Sequence, residues 1–188
     1  MSDAAASERL SEPRIALVAP DDMNAEQREL MTDKQAQLSL FQLCARHPEV
    51  LRRLKATGSF ANQVTVLPAR SREIMILRMA WLLQSEFEWG QHHPIAIAAG
   101  LTADEIERTK AGPGDERGSE WDRAVLIAID GLVSDCMIPT ESWDVLRSEW
   151  SEEMMLELVI FFGHYIMVAT FANTFGLGAP PGKPGFDG

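Results

Sequence analysis

The 188-residue sequence is poor in the residues that most quickly identify a chemistry. It has only two cysteines, Cys44 and Cys136, too few and too far apart for a disulfide framework or a zinc knuckle. It has one tyrosine and four histidines. Positive charge is scarce: 17 Lys+Arg face 28 Asp+Glu, a net charge of -11 that repels phosphate and argues against nucleic acid or an anionic membrane as partner. The longest apolar stretch, Leu156–Ala172, is interrupted by Glu157, Gly163 and His164, so no unbroken run long enough for a bilayer is expected. The first residues, MSDAAASERLSEP, carry no apolar signal segment, and the reading is a soluble, cytoplasmic protein.

Hydrophobic residues make up 46% of the chain, enough for a sizeable core. Their spacing is helical almost throughout, with no period-2 strand and no internal repeat. Asn24 with Gln27, and Thr102 with Glu105, have capping-box spacing. Ser71–Ala99 reads as the most helical stretch, with Ser71 as N-cap and Pro94 as a kink or a new start. Further helices are expected over Ala103–Lys110, Trp121–Val133, Pro139–Trp150 and Ser151–Phe175. The last is apolar nearly all round, which predicts burial on every face, part of it under another subunit. The expected fold is all-α, a single-domain helical bundle of about seven helices. Residues 1–20 are an N-terminal tail or extension, 21–177 the helical domain, and 178–188 a Gly/Pro-rich C-terminal tail.

Reactive side chains are densest at Ser85-Glu86-Phe87-Glu88-Trp89-Gly90-Gln91-His92-His93. A helix places Ser85, Glu88 and His92 on one face, with Trp81 in the same sector as a wall against water. Glu88 and His92 stand at i and i+4, and a carboxylate beside an imidazole fixes its tautomer and raises its pKa for proton transfer. A solvated ion pair is the plain alternative. Metal binding is not expected, because His92 and His93 diverge on a helix and no His-Glu-x-x-His is present. Glu86 and His93 form a separate pair. Cys44 and Cys136 read as buried small hydrophobes. His164 reads as a core residue that lines a pocket only if the last helix packs across the Ser85–His92 face.

Arg72-Glu-Ile-Met-Ile-Leu-Arg78, Phe87-Glu-Trp-Gly-Gln-His92, Gly100-Leu-Thr102 with Glu105-Ile106, Trp121-Asp-Arg-Ala124, and Gly163-His-Tyr-Ile-Met167 running to Asn173-Thr-Phe-Gly176 together resemble the carboxymuconolactone decarboxylase superfamily. The resemblance covers about residues 35–177. It is to a subgroup with a Tyr-Glu-Trp-x-x-His core, in which Phe87 replaces the usual Tyr, and which lacks a Cys-x-x-Cys pair. It implies an alkylhydroperoxidase D-like all-α fold assembled as trimers or hexamers. Alkylhydroperoxidase D members carry Glu-x11-Cys-x2-Cys-x3-His; here the same spacing reads Glu73-x11-Ser85-x2-Glu88-x3-His92. Without the cysteine pair, a thiol peroxidase has no electron carrier.

The decarboxylase branch implies cofactor-free loss of CO2 from a small lactone or carbonyl acid. By that analogy His92 is the general acid/base, Glu88 its orienting carboxylate and Glu73 a second proton carrier. Ser85, Trp81, Trp89 and His93 would contact substrate, and Arg78, or Arg70 or Arg72, would hold its carboxylate. On one unbroken helix Glu73 and Glu88 would lie about 22 Å apart. Glu73 then joins the site only through a break near Leu83–Ser85, where no Gly or Pro marks one, or from a neighbouring subunit. An antioxidant peroxidase and a non-catalytic oligomeric small-molecule binder are the other readings.

Overall fold

Side-chain caps set more than half of the helix starts in the computed structural model, which describes residues 9–187. Asn24 and Gln27 cap α1 (Ala25–Glu29) reciprocally, and Thr32 with Gln35 does the same for α2 (Asp33–Ala36). α3 (Ser39–Cys44) stops before His47, whose ring accepts the Val50 amide to cap α4 (Pro48–Ser59). Pro48 occupies the first turn of α4, where its missing N–H is no loss. α4 runs into a π-helical turn, Phe60–Val64, before Leu67-Pro68. Then follow α5 (Ala69–Leu82), α6 (Glu86–Ala98), α7 (Ala103–Ala111), α8 (Glu120–Asp135), α9 (Thr140–Glu149) and α10 (Glu152–Phe175). Thr102 and Glu105 form the expected box at α7.

The fold is all-α among the described residues, with ten α-helices rather than about seven. Part of the difference is the stretch Ser71–Ala99, which is two helices and not one. Pro68, not Ser71, precedes the first of them, and Pro94 lies within the second without starting another. Cys136 also differs from expectation: it ends α8 in a left-handed conformation (φ 54°) and is exposed.

Two apolar clusters hold the bundle together. The larger joins α5, α6, α8, α9 and α10 through residues such as Leu77, Trp89, Ile129, Leu146, Leu158 and Phe161. The smaller joins α3, α4, α6 and α10 through Leu40, Leu51, Leu54, Phe87 and Val168. α10 supplies residues to both. By length and composition it is apolar enough to cross a bilayer, with mean hydropathy 1.8, yet 44% of its most apolar window is buried inside the fold. It is not covered on every side within one chain: Leu156 is 74% exposed, with Val159 and Ile160 at 50% and 55%.

Both ends of the described chain pack on the bundle. The Arg14 amide bonds the Phe175 carbonyl, and Val18 bonds Gln42; residues 1–8 of the expected tail lie outside the described residues. After α10 the Gly/Pro-rich segment doubles back over α6. A Cβ on Gly90 would sit 3.0 Å from the Pro180 ring and 3.1 Å from the Pro184 carbonyl, so glycine permits this close approach. Phe186 then packs on Trp81 and Trp89, and its carbonyl accepts a hydrogen bond from Lys110 Nζ.

Candidate active site

Three residues create the site by ending α5. Leu83 closes the helix, Gln84 turns left-handed (φ 53°), and the Ser85 amide bonds back to the Ala80 carbonyl. A non-glycine residue in this region costs about 1 kcal/mol, which the surrounding packing must offset. α6 thereby folds back along α5, and Glu73 comes to His92. Glu73 Oε2 stands 2.8 Å from His92 Nδ1, and both side chains are buried. The 22 Å separation of the unbroken-helix reading is therefore overturned: the two carboxylates flank one imidazole.

Glu88 Oε2 lies 3.6 Å from His92 Nε2, one turn earlier on α6. Burial opposes a charged His92, but the Glu73 hydrogen bond and the charges of Glu73 and Glu88 outweigh it and leave the pKa raised. Burial pushes the Glu88 carboxyl up to about 7, with the Glu73 charge adding to the rise and His92 opposing it. The placement inverts the expected arrangement. Glu73 is the carboxylate that orients the ring, and Glu88 is the group poised at the free nitrogen. Glu88 Oε1 and Gln91 Nε2 are buried with no hydrogen-bond partner among the described residues. Such atoms are costly to bury and available to a ligand.

Glu88, Gln91 and His92 face a cavity of about 520 Å³ between α3, α4, α6 and α10. Leu40, Phe41, Leu54, Phe87 and Val168 give it an apolar wall drawn mostly from the smaller core cluster. Tyr165 lines it beside His92, edge-on to that ring at 5.2 Å, and donates its hydroxyl to Asn62 Oδ1 at 3.1 Å. His164 lines it too, because α10 packs across the α6 face, and Lys55 reaches its wall from α4, with its Nζ donating to the Leu30 carbonyl. Gln91 was readable as a site residue, three positions after Glu88 on the same helix face. Lys55, Asn62 and Thr57 carry no comparable local signal, since α4 and the π-helical turn after it reach the site only in the tertiary fold.

Several expected contacts fall elsewhere. An unbroken helix places Trp81 in the sector of Glu88, but α5 ends at Leu82 and the Trp81 ring instead meets Phe186 edge-on at 5.2 Å, outside the cavity lining. Trp89 is buried under the same phenyl ring. His93 lies 6.0 Å from Trp89, and burial followed by the Lys110 charge lowers its pKa. Ser85 is fully buried, with an unpartnered hydroxyl, and does not line the cavity. Arg78 makes a two-pronged ion pair with Asp130 at 2.6 and 2.8 Å and donates to the Thr109 and Lys110 carbonyls. Arg70 pairs with Asp122 and Glu105. Arg72 donates to the Ala61 carbonyl, and its charge opposes protonation of His92. Glu86 and His93 form no ion pair among the described residues.

Neither cysteine lines the cavity. Cys44 is buried in the smaller cluster, where burial pushes its thiol up to about 11. No group of three or more His, Cys, Asp or Glu side chains among the described residues could hold a metal ion.

Residues 48–113, from α4 through the α5–α6 hairpin to the end of α7, match the carboxymuconolactone decarboxylase family model. No curated protein sequence matches the chain. Among solved structures, an alkylhydroperoxidase AhpD core, a peroxidase-related protein from Ralstonia eutropha, superposes with TM-score 0.75 at 14% identity, covering 90% of this chain and 93% of that one. A protein of unknown function from Agrobacterium tumefaciens, described as an antioxidant-defence AhpD protein, gives 0.66 at 18% identity over 73% and 95%. A debrominase in complex with 2,3,4-tribromopyrrole gives 0.67 at 12% identity over 87% and 91%. Residues 48–113 thus carry the carboxymuconolactone decarboxylase family pattern, and the chain shares the alkylhydroperoxidase D-like fold of these structures.

Proposed function

We propose that this chain is a cofactor-independent acid–base enzyme acting on a small lactone or carbonyl acid, most simply as a carboxy-lyase. The observation that carries the reading is His92 held between Glu73 and Glu88 at the wall of a cavity, with one Glu88 oxygen unpartnered. A carboxyl titrating near 7 is protonated in a large share of molecules at neutral pH and gives up its proton readily. In the proposed step the substrate C–C bond to its carboxylate breaks and CO2 leaves. The bonding electrons pass into the conjugated carbonyl, and Glu88 delivers its proton to the carbon that lost CO2. His92, steadied by Glu73, restores that proton from solvent. Lys55 is the cavity-lining cation for an anionic substrate, which would draw its Nζ from the Leu30 carbonyl.

The antioxidant peroxidase reading is less well supported. Ser85 and Glu88 stand where the alkylhydroperoxidase D pattern has its cysteines, and the Cys44 thiol is held protonated. Self-association belongs to the same proposal: Leu156, Val159 and Ile160 leave an apolar stripe that a second copy would cover in a trimer or hexamer.

The test is incubation in D2O with a panel of lactone and β-keto acids, reading CO2 release and deuterium at the product carbon. Expected is turnover on at least one acid, lost in Glu88→Gln and in His92→Gln. Turnover unaffected by both substitutions removes the reading. So does an inert panel accompanied by peroxide consumption that disappears in the Cys44→Ser, Cys136→Ser double variant.

A further inference from the structure

His164 projects into the cavity from α10, and its hydrogen bonds define its tautomer. Its Nδ1 lies 3.0 Å from Thr57 Oγ1. That hydroxyl also has two α4 carbonyls within reach, Leu54 at 3.0 Å and Arg53 at 3.3 Å. Carbonyls only accept, so the hydroxyl proton goes to them, the usual back-bond of a threonine inside a helix. The bond to His164 must then take its proton from the ring, with Nδ1–H donating to Thr57. A neutral imidazole protonated at Nδ1 has a bare lone pair at Nε2.

Nothing among the described residues hydrogen-bonds that lone pair. Gly58 keeps its edge open, for a Cβ there would lie 3.3 Å from His164 Cε1 and 3.5 Å from Nε2. The ring also stays neutral, since burial first, and then the His92 charge, bring its pKa down to about 4. His92 and Glu88 on α6 thus present proton donors to the cavity, and His164 on α10 presents an acceptor.

We propose that His164 Nε2 accepts a hydrogen bond from the bound ligand, so that the cavity selects molecules bearing a hydroxyl, enol or N–H opposite the group handled at Glu88 and His92. This rests on the cavity being the substrate site, as inferred above. Thr57 is the positioning residue that holds the acceptor tautomer. The ligand class is thereby narrowed to lactone or carbonyl acids carrying such a donor, and their O-methylated counterparts are poor ligands.

The test uses the full chain labelled with 15N-histidine, with phenol and anisole as probes of nearly equal shape. Expected in the free protein at pH 7 is a neutral His164 with its proton on Nδ1. Phenol shifts Nε2 and binds about 5- to 10-fold more tightly than anisole, the worth of one neutral hydrogen bond. The ratio falls to near one in His164→Phe. It also shrinks in Thr57→Val, which keeps the histidine and the residue shape but frees the tautomer. A ring protonated on Nε2, or equal binding of both probes with shifts at His92, overturns the proposal and leaves the cavity reading standing. Probes that leave His92 and His164 both unmoved overturn the cavity as ligand site, and this proposal with it.

Discussion

α6 carries two adjacent histidines into opposite environments. His92 faces the cavity, where two carboxylates hold its pKa up; His93 lies beside Trp89, where burial and Lys110 hold its pKa down. The same division runs along the helix. Glu88, Gln91 and His92 line a space with unpartnered polar atoms. Trp89 and Gly90 meet Phe186, Pro180 and Pro184 in close packing. Residue type alone does not separate these faces, since both hold histidine and aromatic neighbours. What separates them is whether a packed segment fills the space beyond the side chain, leaving one face free for chemistry and the other committed to stability.

Substitutions can break this contrast. The largest effect is expected from Glu88→Gln, which should lower turnover in the D2O assay about 10²- to 10⁴-fold, while His93→Gln leaves it unchanged. Next comes Arg78→Ala. It removes a buried guanidinium that serves Asp130 and two carbonyls, and urea denaturation should show a loss of about 3 kcal/mol.

The pH dependence sharpens the comparison. Glu88 is raised from 4.5 to about 7, so the folded state binds its proton more tightly than the unfolded chain does. Its contribution to stability is therefore greatest below 4.5 and declines as pH rises toward 7. The raised His92 acts in the same sense, its share present below 6.5 and lost as pH climbs through its folded value. Melting curves should show Glu88→Gln stabilising the fold by about 2 kcal/mol at pH 8 and by little at pH 4, even as it stops turnover. The smallest effect is expected from Phe186→Ala. Half-buried Phe186 should cost about 1–2 kcal/mol and expose residues 177–187 to limited proteolysis, with turnover intact.

What the sequence conveyed was local. The capping boxes at Asn24 and Thr102, the long α10 and the Glu88–His92 spacing all follow from neighbours within one turn, and all are present. The break near Leu83–Ser85 that Glu73 needs to join the site is present but carries no local signal, because Gln84 reverses the chain without glycine or proline. Trp81 departs from the expected site for the same reason, since the helix that carries it stops one residue later. Arg70 and Arg78 find their acidic partners some 50 positions away, Asp122 and Asp130, beyond any periodicity. The His164–Thr57 bond likewise joins residues 107 positions apart.

The turn at Leu83-Gln84-Ser85 also changes the meaning of the spacing between Glu73 and His92. Along a continuous helix that number would measure length. Across a hairpin it acts as a gear setting, fixing which tooth of α6 meshes with Glu73. One residue added or removed in the turn would rotate α6 by about 100° and present Gln91 or His93 to Glu73 instead. Drift in the turn's amino acids is thus tolerable where drift in its length is not, and a single deletion there would disarm the site without touching any residue in it.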